Sequence, residues 1–455
     1  MVFFLSGTFY LSLDRFLARS YRIFCLEATQ PATRNRKFTL FYELKNGERT
    51  LENYDWGIIG GGIGGVCLAR RILQDWPDQR ILILEKEDRG GRHASGRNSG
   101  VLHAGLYYKP STLKARLCVQ GARLMGEYCE EHGLPLRRSG KVVVPVYPGD
   151  DPRLDDLLAN GRANGVKLDI ISGQQLRELE PAAAPWVERA LHSPGTAIID
   201  PVQTLAHLTE DLQQRGVTVA GRCEVVGISQ DGNSMVLSCR DGRRFAVGKG
   251  INAAGSYADR IAAMVGAGED YRILPFRGIY YKLRPDFAPA IRGNIYPVPD
   301  LRIPFLGVHF TRSVAGDVYV GPTAIPAFGR ENYRGMEGVR LRDAAEITGS
   351  LLKQYWTDHD GFRALVHRES RVVLKRAFLQ AARLLVPEVR TEDLLPCDKV
   401  GIRAQLVNRR ERRMEMDFLV ERSPHMVHVL NAVSPAFTCG FSFADYVMGE
   451  YLRDI

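Results

Sequence analysis

Between Tyr54 and Glu85 the chain carries a glycine turn that leaves little choice of fold. Asp55-Trp56-Gly57-Ile58-Ile59 reads as a short buried strand that runs directly into Gly60-Gly61-Gly62-Ile63-Gly64-Gly65. A helix is predicted over 66–75, then a second strand over 80–84 that ends in Glu85. The GxGxxG spacing is satisfied by Gly60, Gly62 and Gly65. In such a unit the first glycine permits the tight turn, and the second lets the backbone approach a pyrophosphate. The third lets helix and strand pack closely, while the helix N-terminus faces the phosphate charge. Glu85 stands at the end of the second strand, where an acid accepts hydrogen bonds from ribose hydroxyls. Together these parts predict a dinucleotide-binding βαβ unit.

At 455 residues the chain is too long for one ordinary core, so two domains are expected. A composition 45% hydrophobic and 25% charged is that of a globular protein and rules out a disordered or fibrous chain. Of the net charge of +9, +4 falls in residues 1–50, leaving +5 for all the rest. A nucleic-acid binder concentrates its charge in a stripe interleaved with aromatics. Here the one dense run is Arg409-Arg410-Glu411-Arg412-Arg413, which reads as a solvated turn, so no nucleic-acid partner is expected. The excess charge still favours an anionic substrate or an acidic membrane surface.

None of the eight cysteines forms a CxxC pair, so neither a zinc site nor a disulfide framework is expected. Reduced thiols in a cytoplasmic or, in a eukaryote, mitochondrial-matrix setting are the expectation. Met1–Leu13 is apolar, and Arg15, Arg19 and Arg22 follow at helical spacing. Residues 1–53 are therefore read as an extension outside the fold: a transit peptide, a peripheral membrane helix or a non-native leader. No window reaches the eighteen or so apolar residues that a membrane span needs.

The second strand leads into a glycine-rich polar stretch, Gly90–Gly100, in place of the strand–helix alternation of a nicotinamide-only dehydrogenase. Such a stretch, with Ser99 and Gly100 at its end, can present amides to a large flat cofactor. Much later, Gly250-Ile251-Asn252-Ala253-Ala254-Gly255 is a short strand ending in small residues, which let a loop approach the same pyrophosphate. No second GxGxxG unit is present. One resident dinucleotide is expected, and FAD suits it better than a pair of exchanging nucleotides.

At this point the sequence resembles the D-amino-acid oxidase-like FAD-dependent oxidoreductases, and within them the L-2-hydroxyglutarate dehydrogenase/oxidase family. The matching stretches are Arg97-Asn98-Ser99-Gly100-Val101-Leu102-His103-Ala104-Gly105-Leu106-Tyr107-Tyr108 and Pro275-Phe276-Arg277-Gly278. More specific is Gly293-Asn294-Ile295-Tyr296-Pro297-Val298-Pro299-Asp300, running on to Pro304-Phe305-Leu306-Gly307-Val308-His309-Phe310. Gly401-Ile402-Arg403-Ala404-Gln405 and His428-Val429-Leu430-Asn431 complete the set, which covers roughly 54–450 in the family's order. The chain departs after Asn431: the family's Pro-Ser-Pro-Ala and Thr-Ser are replaced by Val433-Ser434-Pro435-Ala436-Phe437-Thr438-Cys439-Gly440-Phe441. That wall of the flavin site is altered.

The resemblance implies oxidation of a small anionic 2-hydroxy acid, an L-2-hydroxy dicarboxylate above all, with hydride passing to flavin N5. The hydroxyl proton needs a base, which favours histidine, and the carboxylates need arginine forks. His103 is the first candidate base, or else it only orients the ring. His309 is the alternative base or a substrate ligand, against a core histidine, while His428 reads as structural. Arg277 and Arg403 are the candidate carboxylate clamps, each set against a structural ion pair; Tyr280 and Tyr296 rank below them. Gly440 and Phe441 open the last helix, whose amides can face the flavin edge. Cys397 precedes the loop where some relatives attach the flavin covalently, and non-covalent FAD is expected. An amine or amino-acid oxidase on the same scaffold and a non-catalytic electron-transfer or assembly subunit are the rival readings. The electron acceptor stays open between oxygen, a quinone and an electron-transfer protein.

The expected fold is mixed α/β: an FAD-binding Rossmann-like domain interleaved with an antiparallel-sheet substrate domain. The first is assigned 54–140, 195–269 and 396–455, and the second 141–194 and 270–395.

Overall fold

The computed structural model describes residues 51–232, 234–300 and 305–453. The extension assigned to 1–53 therefore lies outside the described residues except for its last three, and the first strand already begins at Glu52.

β1 (Glu52–Ile59) exposes its first residues and buries its last four, delivering the chain into the interior at the glycine turn. α1 (Ile63–Asp75) follows and buries Ile63, Val66, Leu68, Ala69, Ile72 and Leu73 along one face. β2 (Ile81–Leu84) returns parallel to β1, pairing Trp56 with Ile81 and Ile59 with Leu84. All four β2 residues are apolar and buried, as a strand covered on both faces requires. Around this unit grows an eight-stranded sheet, with the strand Arg244–Asn252 beside β1 and Thr218–Ala220 beside β2. Met426–Asn431 joins parallel to Arg244–Asn252. The helices α2 (Leu113–Glu131) and α3 (Gly440–Val447) pack with α1 over one face of this sheet.

The second layer is a ten-stranded sheet. It contains β3 (Lys141–Val144), β4 (Tyr271–Leu283), β5 (Asn294–Pro297), β6 (His309–Arg312) and β7 (Leu394–Asn408). It is mostly antiparallel, but β3 and β5 run parallel, with Tyr296 beside Val143. In β3, Val142 and Val144 join one core cluster while Val143 joins another with Tyr107 and Tyr296. That alternation places Lys141 on the same side as Val143.

Three expectations need correction. β7 pairs along its length with β4, from Tyr271–Asn408 to Leu283–Leu394, so residues up to Asn408 belong to the ten-stranded sheet and not to a segment starting at 396. Its partner is 120 or so positions upstream, which no local pattern records. Helices Leu341–Thr357, Phe362–Val372 and Lys375–Arg383 occupy a stretch expected to supply strands. Finally, Cys223 and Cys239 form a disulfide. Cys223 stands two residues before the strand Val225–Asp231 and Cys239 ends its partner Ser234–Cys239, opposite Val225, so hairpin register brings together two cysteines sixteen residues apart. The other described cysteines are free.

Candidate active site and cofactor cradle

A cavity of about 590 Å³ runs from the glycine turn to the ten-stranded sheet. At one end it is lined by Gly60, Gly62, Glu85, Ser95, Ser99, Ala254 and Gly255, and at the other by His103, Tyr280, Tyr296, His309 and Arg403.

The cofactor end is built from backbone. Gly60 has φ +115°, and a Cβ there would stand 2.4 Å from the carbonyl oxygen of Ala253. Only glycine takes that conformation without strain, and the turn therefore lets Ala253–Gly255 come up beside it. Gly65 does not line the cavity; a Cβ there would lie 2.0 Å from the Gly60 carbonyl, so its role is the helix–strand contact the motif predicts. The N-terminus of α1 opens into the cavity with no acidic residue in its first turn. One of its amides is held in place: Ile63 N–H donates to Ser95 Oγ at 3.0 Å. Glu85 Oε2 accepts from Gly61 N–H and its Oε1 from Glu87 N–H, both at 2.9 Å. The carboxylate is thereby fixed at the end of β2, with lone pairs left to accept ribose hydroxyls. A helix dipole facing a glycine cradle, an oriented carboxylate and small residues on the opposite strand fit a dinucleotide diphosphate. The residues present thus suit FAD.

Besides Gly65, two of the predicted cofactor residues lie off the wall. Gly100 is absent from the wall, and its carbonyl accepts from Ile199 N–H at 2.8 Å, tying the short sheet Val101–Leu102/Ala197–Ile199 together. Phe441 turns its ring away from the cavity onto Tyr128, 5.4 Å between centroids, and under the Arg70 guanidinium. Successive helix residues project about 100° apart, so Gly440 reaches the wall and Phe441 does not.

At the other end, Phe276, Gly278 and Tyr280 of β4 line the cavity while Arg277 between them does not. Strand alternation sends Arg277 to the opposite face, so the carboxylate clamp assigned to it is corrected. Arg403 stands opposite Phe276 in β7 and does line the wall, with its guanidinium 5.2 Å from the Phe305 ring centre. Burial lowers its pKa from the ordinary value.

Both candidate histidines reach the cavity, and their bonding differs. His309 stacks on Tyr296, 3.9 Å between ring centres, and its Nδ1 lies 2.8 Å from the Gly307 carbonyl oxygen. A carbonyl only accepts, so Nδ1 carries the proton and the neutral ring presents a lone pair at Nε2. His103 is anchored through its backbone, N–H donating to Thr438 Oγ1 at 3.2 Å, while its buried Nδ1 has no hydrogen-bond partner among the described residues. Burial, with the Lys141, His309 and Arg403 charges behind it, pushes His103 down to about 3. Burial does the same to His309, also to about 3, against the opposing bond to Gly307. Both rings are therefore neutral near pH 7. His428 is fully buried and lies 3.0 Å from Ser423 Oγ and 3.2 Å from Asn252 Nδ2, a structural position as expected. Cys397 donates to the Tyr280 carbonyl and is not on the wall.

Sequence reasoning passed over Lys141, Tyr107 and Ser95. Ser95 lies inside the polar stretch that was singled out, but nothing local marks it as the residue that caps α1. Lys141 lies in a four-residue apolar strand, where a single buried cation is itself the signal that was available.

Comparison with known proteins agrees with this geometry. The family model described as FAD dependent oxidoreductase matches residues 55–448. L-2-hydroxyglutarate dehydrogenase of Escherichia coli K12 is 33% identical over 398 residues, covering 87% of this chain and 93% of that protein. The mitochondrial L-2-hydroxyglutarate dehydrogenase of Homo sapiens is 36% identical over 418 residues, covering 88% of each. Among solved structures, L-alpha-glycerophosphate oxidase from Mycoplasma pneumoniae with FAD bound superposes with a TM-score of 0.69 at 22% identity, over 87% of this chain and 94% of that one. Glycine oxidase from Geobacillus kaustophilus gives 0.65 at 20%, over 88% and 95%. At those identities the likeness is one of fold. With the cradle, the single cavity that joins it to the histidine–arginine end, and a family match across nearly all the described residues, the chain belongs to the FAD-dependent oxidoreductases.

Proposed function

We propose that this enzyme oxidises L-2-hydroxyglutarate to 2-oxoglutarate. When bound, non-covalent FAD supplies the two-electron acceptor, taking hydride at N5. The chain's own residues do the rest. Arg403 pairs with the carboxylate next to the reacting carbon, and a planar fork fixes that group's orientation as well as its charge. His309 takes the hydroxyl proton at Nε2 as the C–H electron pair leaves, so the products are the 2-oxo acid and an imidazolium. The observation that carries this reading is the Gly307 carbonyl on His309 Nδ1, which holds the ring in the tautomer a base needs. His103, without such an orienting partner, packs beside the cofactor. A free amine loses hydride without a base, so a neutral histidine with its lone pair held open favours a hydroxy acid over an amine.

The name of the curated relatives points the same way. The eight-stranded layer is assigned to FAD and the ten-stranded layer to substrate. No described helix is long and apolar enough to cross a membrane. Peripheral membrane contact is assigned to the helices spanning Leu341–Arg383, where Leu341, Leu352, Trp356 and Leu374 are exposed among arginines. A direct test of the reaction is chiral: incubation with L- and D-2-hydroxyglutarate separately, with 2-oxoglutarate quantified. Product from the L-isomer alone is expected, and product from neither refutes the assignment.

A further inference from the structure

Lys141 is the first residue of β3 and is 1% exposed. Its ammonium lies 4.4 Å from the centre of the Tyr107 ring and 5.2 Å from that of Tyr296. Nζ has no hydrogen-bond partner among the described residues, nor does the buried Tyr107 hydroxyl. A buried cation ordinarily has a carboxylate, yet no described salt bridge includes this one. Tyr296 forms part of the cavity wall and carries His309 on its face, so Lys141 stands directly behind that wall. The groups that feel its charge are His103, His309 and the Cys118 thiol. Arg403, the other cation, acts on the same two histidines. The substrate end of the cavity is therefore lined by one cation, two neutral histidines, Tyr280 and Tyr296, with Lys141 behind Tyr296.

We propose that Lys141 is a specificity-determining, positioning residue: its uncompensated ammonium, packed against Tyr107 and behind the Tyr296 wall, is the second positive charge that a dicarboxylate requires, Arg403 being the first. The inference rests on the functional reading above and sharpens it. A monocarboxylate needs only Arg403; a dianion draws on both charges, and in a medium that screens poorly the gain is large. Burial, opposed by Cys118, brings the Lys141 ammonium down to about 7, so the charge is present on the acid side and lost as pH rises.

Two measurements on the FAD-loaded enzyme test this. The first compares wild type, Lys141→Met and Lys141→Arg on L-2-hydroxyglutarate and on L-2-hydroxypentanoate, which lacks the second carboxylate. Lys141→Met is expected to raise KM for the dicarboxylate about tenfold or more while kcat and the monocarboxylate KM change by less than about threefold. Lys141→Arg restores part of the loss. Equal losses on both substrates, or none, overturn the proposal. The second uses wild type alone, so a variant that fails to fold decides nothing: glutarate binding is followed by the perturbation of flavin absorbance between about pH 6 and about pH 9. Affinity is expected to fall across that range, and a flat profile overturns the proposal. If glutarate binds with this pH dependence but no 2-hydroxy dicarboxylate reduces the flavin, the functional reading fails and the role of Lys141 in dianion binding stands.

Discussion

Strand parity decides which of two arginines matters. Arg277 and Arg403 both sit in conspicuous sequence contexts, yet one position of alternation along β4 separates Arg277 from the cavity that Phe276, Gly278 and Tyr280 line. The sequence displays the strand but not which of its faces will be covered, because that depends on the partner strand β7. We therefore expect Arg403→Lys to lose about tenfold to a hundredfold in kcat/KM, a loss of one bidentate interaction, and Arg277→Met to stay within about threefold. The histidines divide similarly. Loss of a general base costs roughly a hundredfold to ten-thousandfold, so His309→Asn is expected to slow anaerobic flavin reduction by at least about a hundredfold, and His103→Asn by much less. Stopped-flow reduction distinguishes them; the opposite order would transfer the base to His103. His103 was the more prominent candidate in the sequence because it follows the polar turn. What distinguishes His309 is a single bond to a carbonyl two residues away, a feature of backbone geometry that the residue string does not display.

Among the elements, the βαβ unit was legible almost residue by residue, since its strands, helix and glycine turn are contiguous in sequence and Gly65 answers to a contact within the turn itself. Gly65→Ala places a methyl 2.0 Å from the Gly60 carbonyl, where rigid backbone cannot give way. Loss of bound FAD from the purified protein, read from the ratio of flavin to protein absorbance, is the expected result. The long-range elements were not legible, for the matching reason that their determinants are far apart. A second such device braces the loop beside the cradle: Arg330 makes a bidentate pair with Asp259 at 2.5 and 2.8 Å, and both side chains are almost wholly buried. Asp259 also accepts from Ile273 N–H in β4, linking the helix after Gly255 to the other sheet. Removing one partner strands a buried charge, so Asp259→Ala is expected to cost about 3–5 kcal/mol in chemical denaturation. A loss below about 1 kcal/mol would mean the pair is dispensable.

For the whole molecule, the buried bases set a pH window. His103 and His309 are held near 3 and His428 near 4, all below the ordinary 6.5. Their folded-state pKa values are depressed, so their contribution is complete above about 6.5 and is lost as pH falls toward the folded values. The melting temperature of the holoenzyme should therefore decline from about pH 6.5 downward, and the triple replacement of these histidines by glutamine should flatten that decline. The overall charge says less. The basic excess read from composition says nothing of where the decisive cations lie: Arg403 on β7 lines the substrate end, and Lys141 on β3 lies behind it against Tyr296. The central claim is that this cavity oxidises a hydroxy dicarboxylate at a resident flavin. Its most direct test is anaerobic mixing of the FAD-loaded protein with L-2-hydroxyglutarate, with sarcosine and amino acids as comparisons, while flavin absorbance is followed. Rapid bleaching by L-2-hydroxyglutarate alone is the result predicted; bleaching by the amines and not by the hydroxy acid would contradict it.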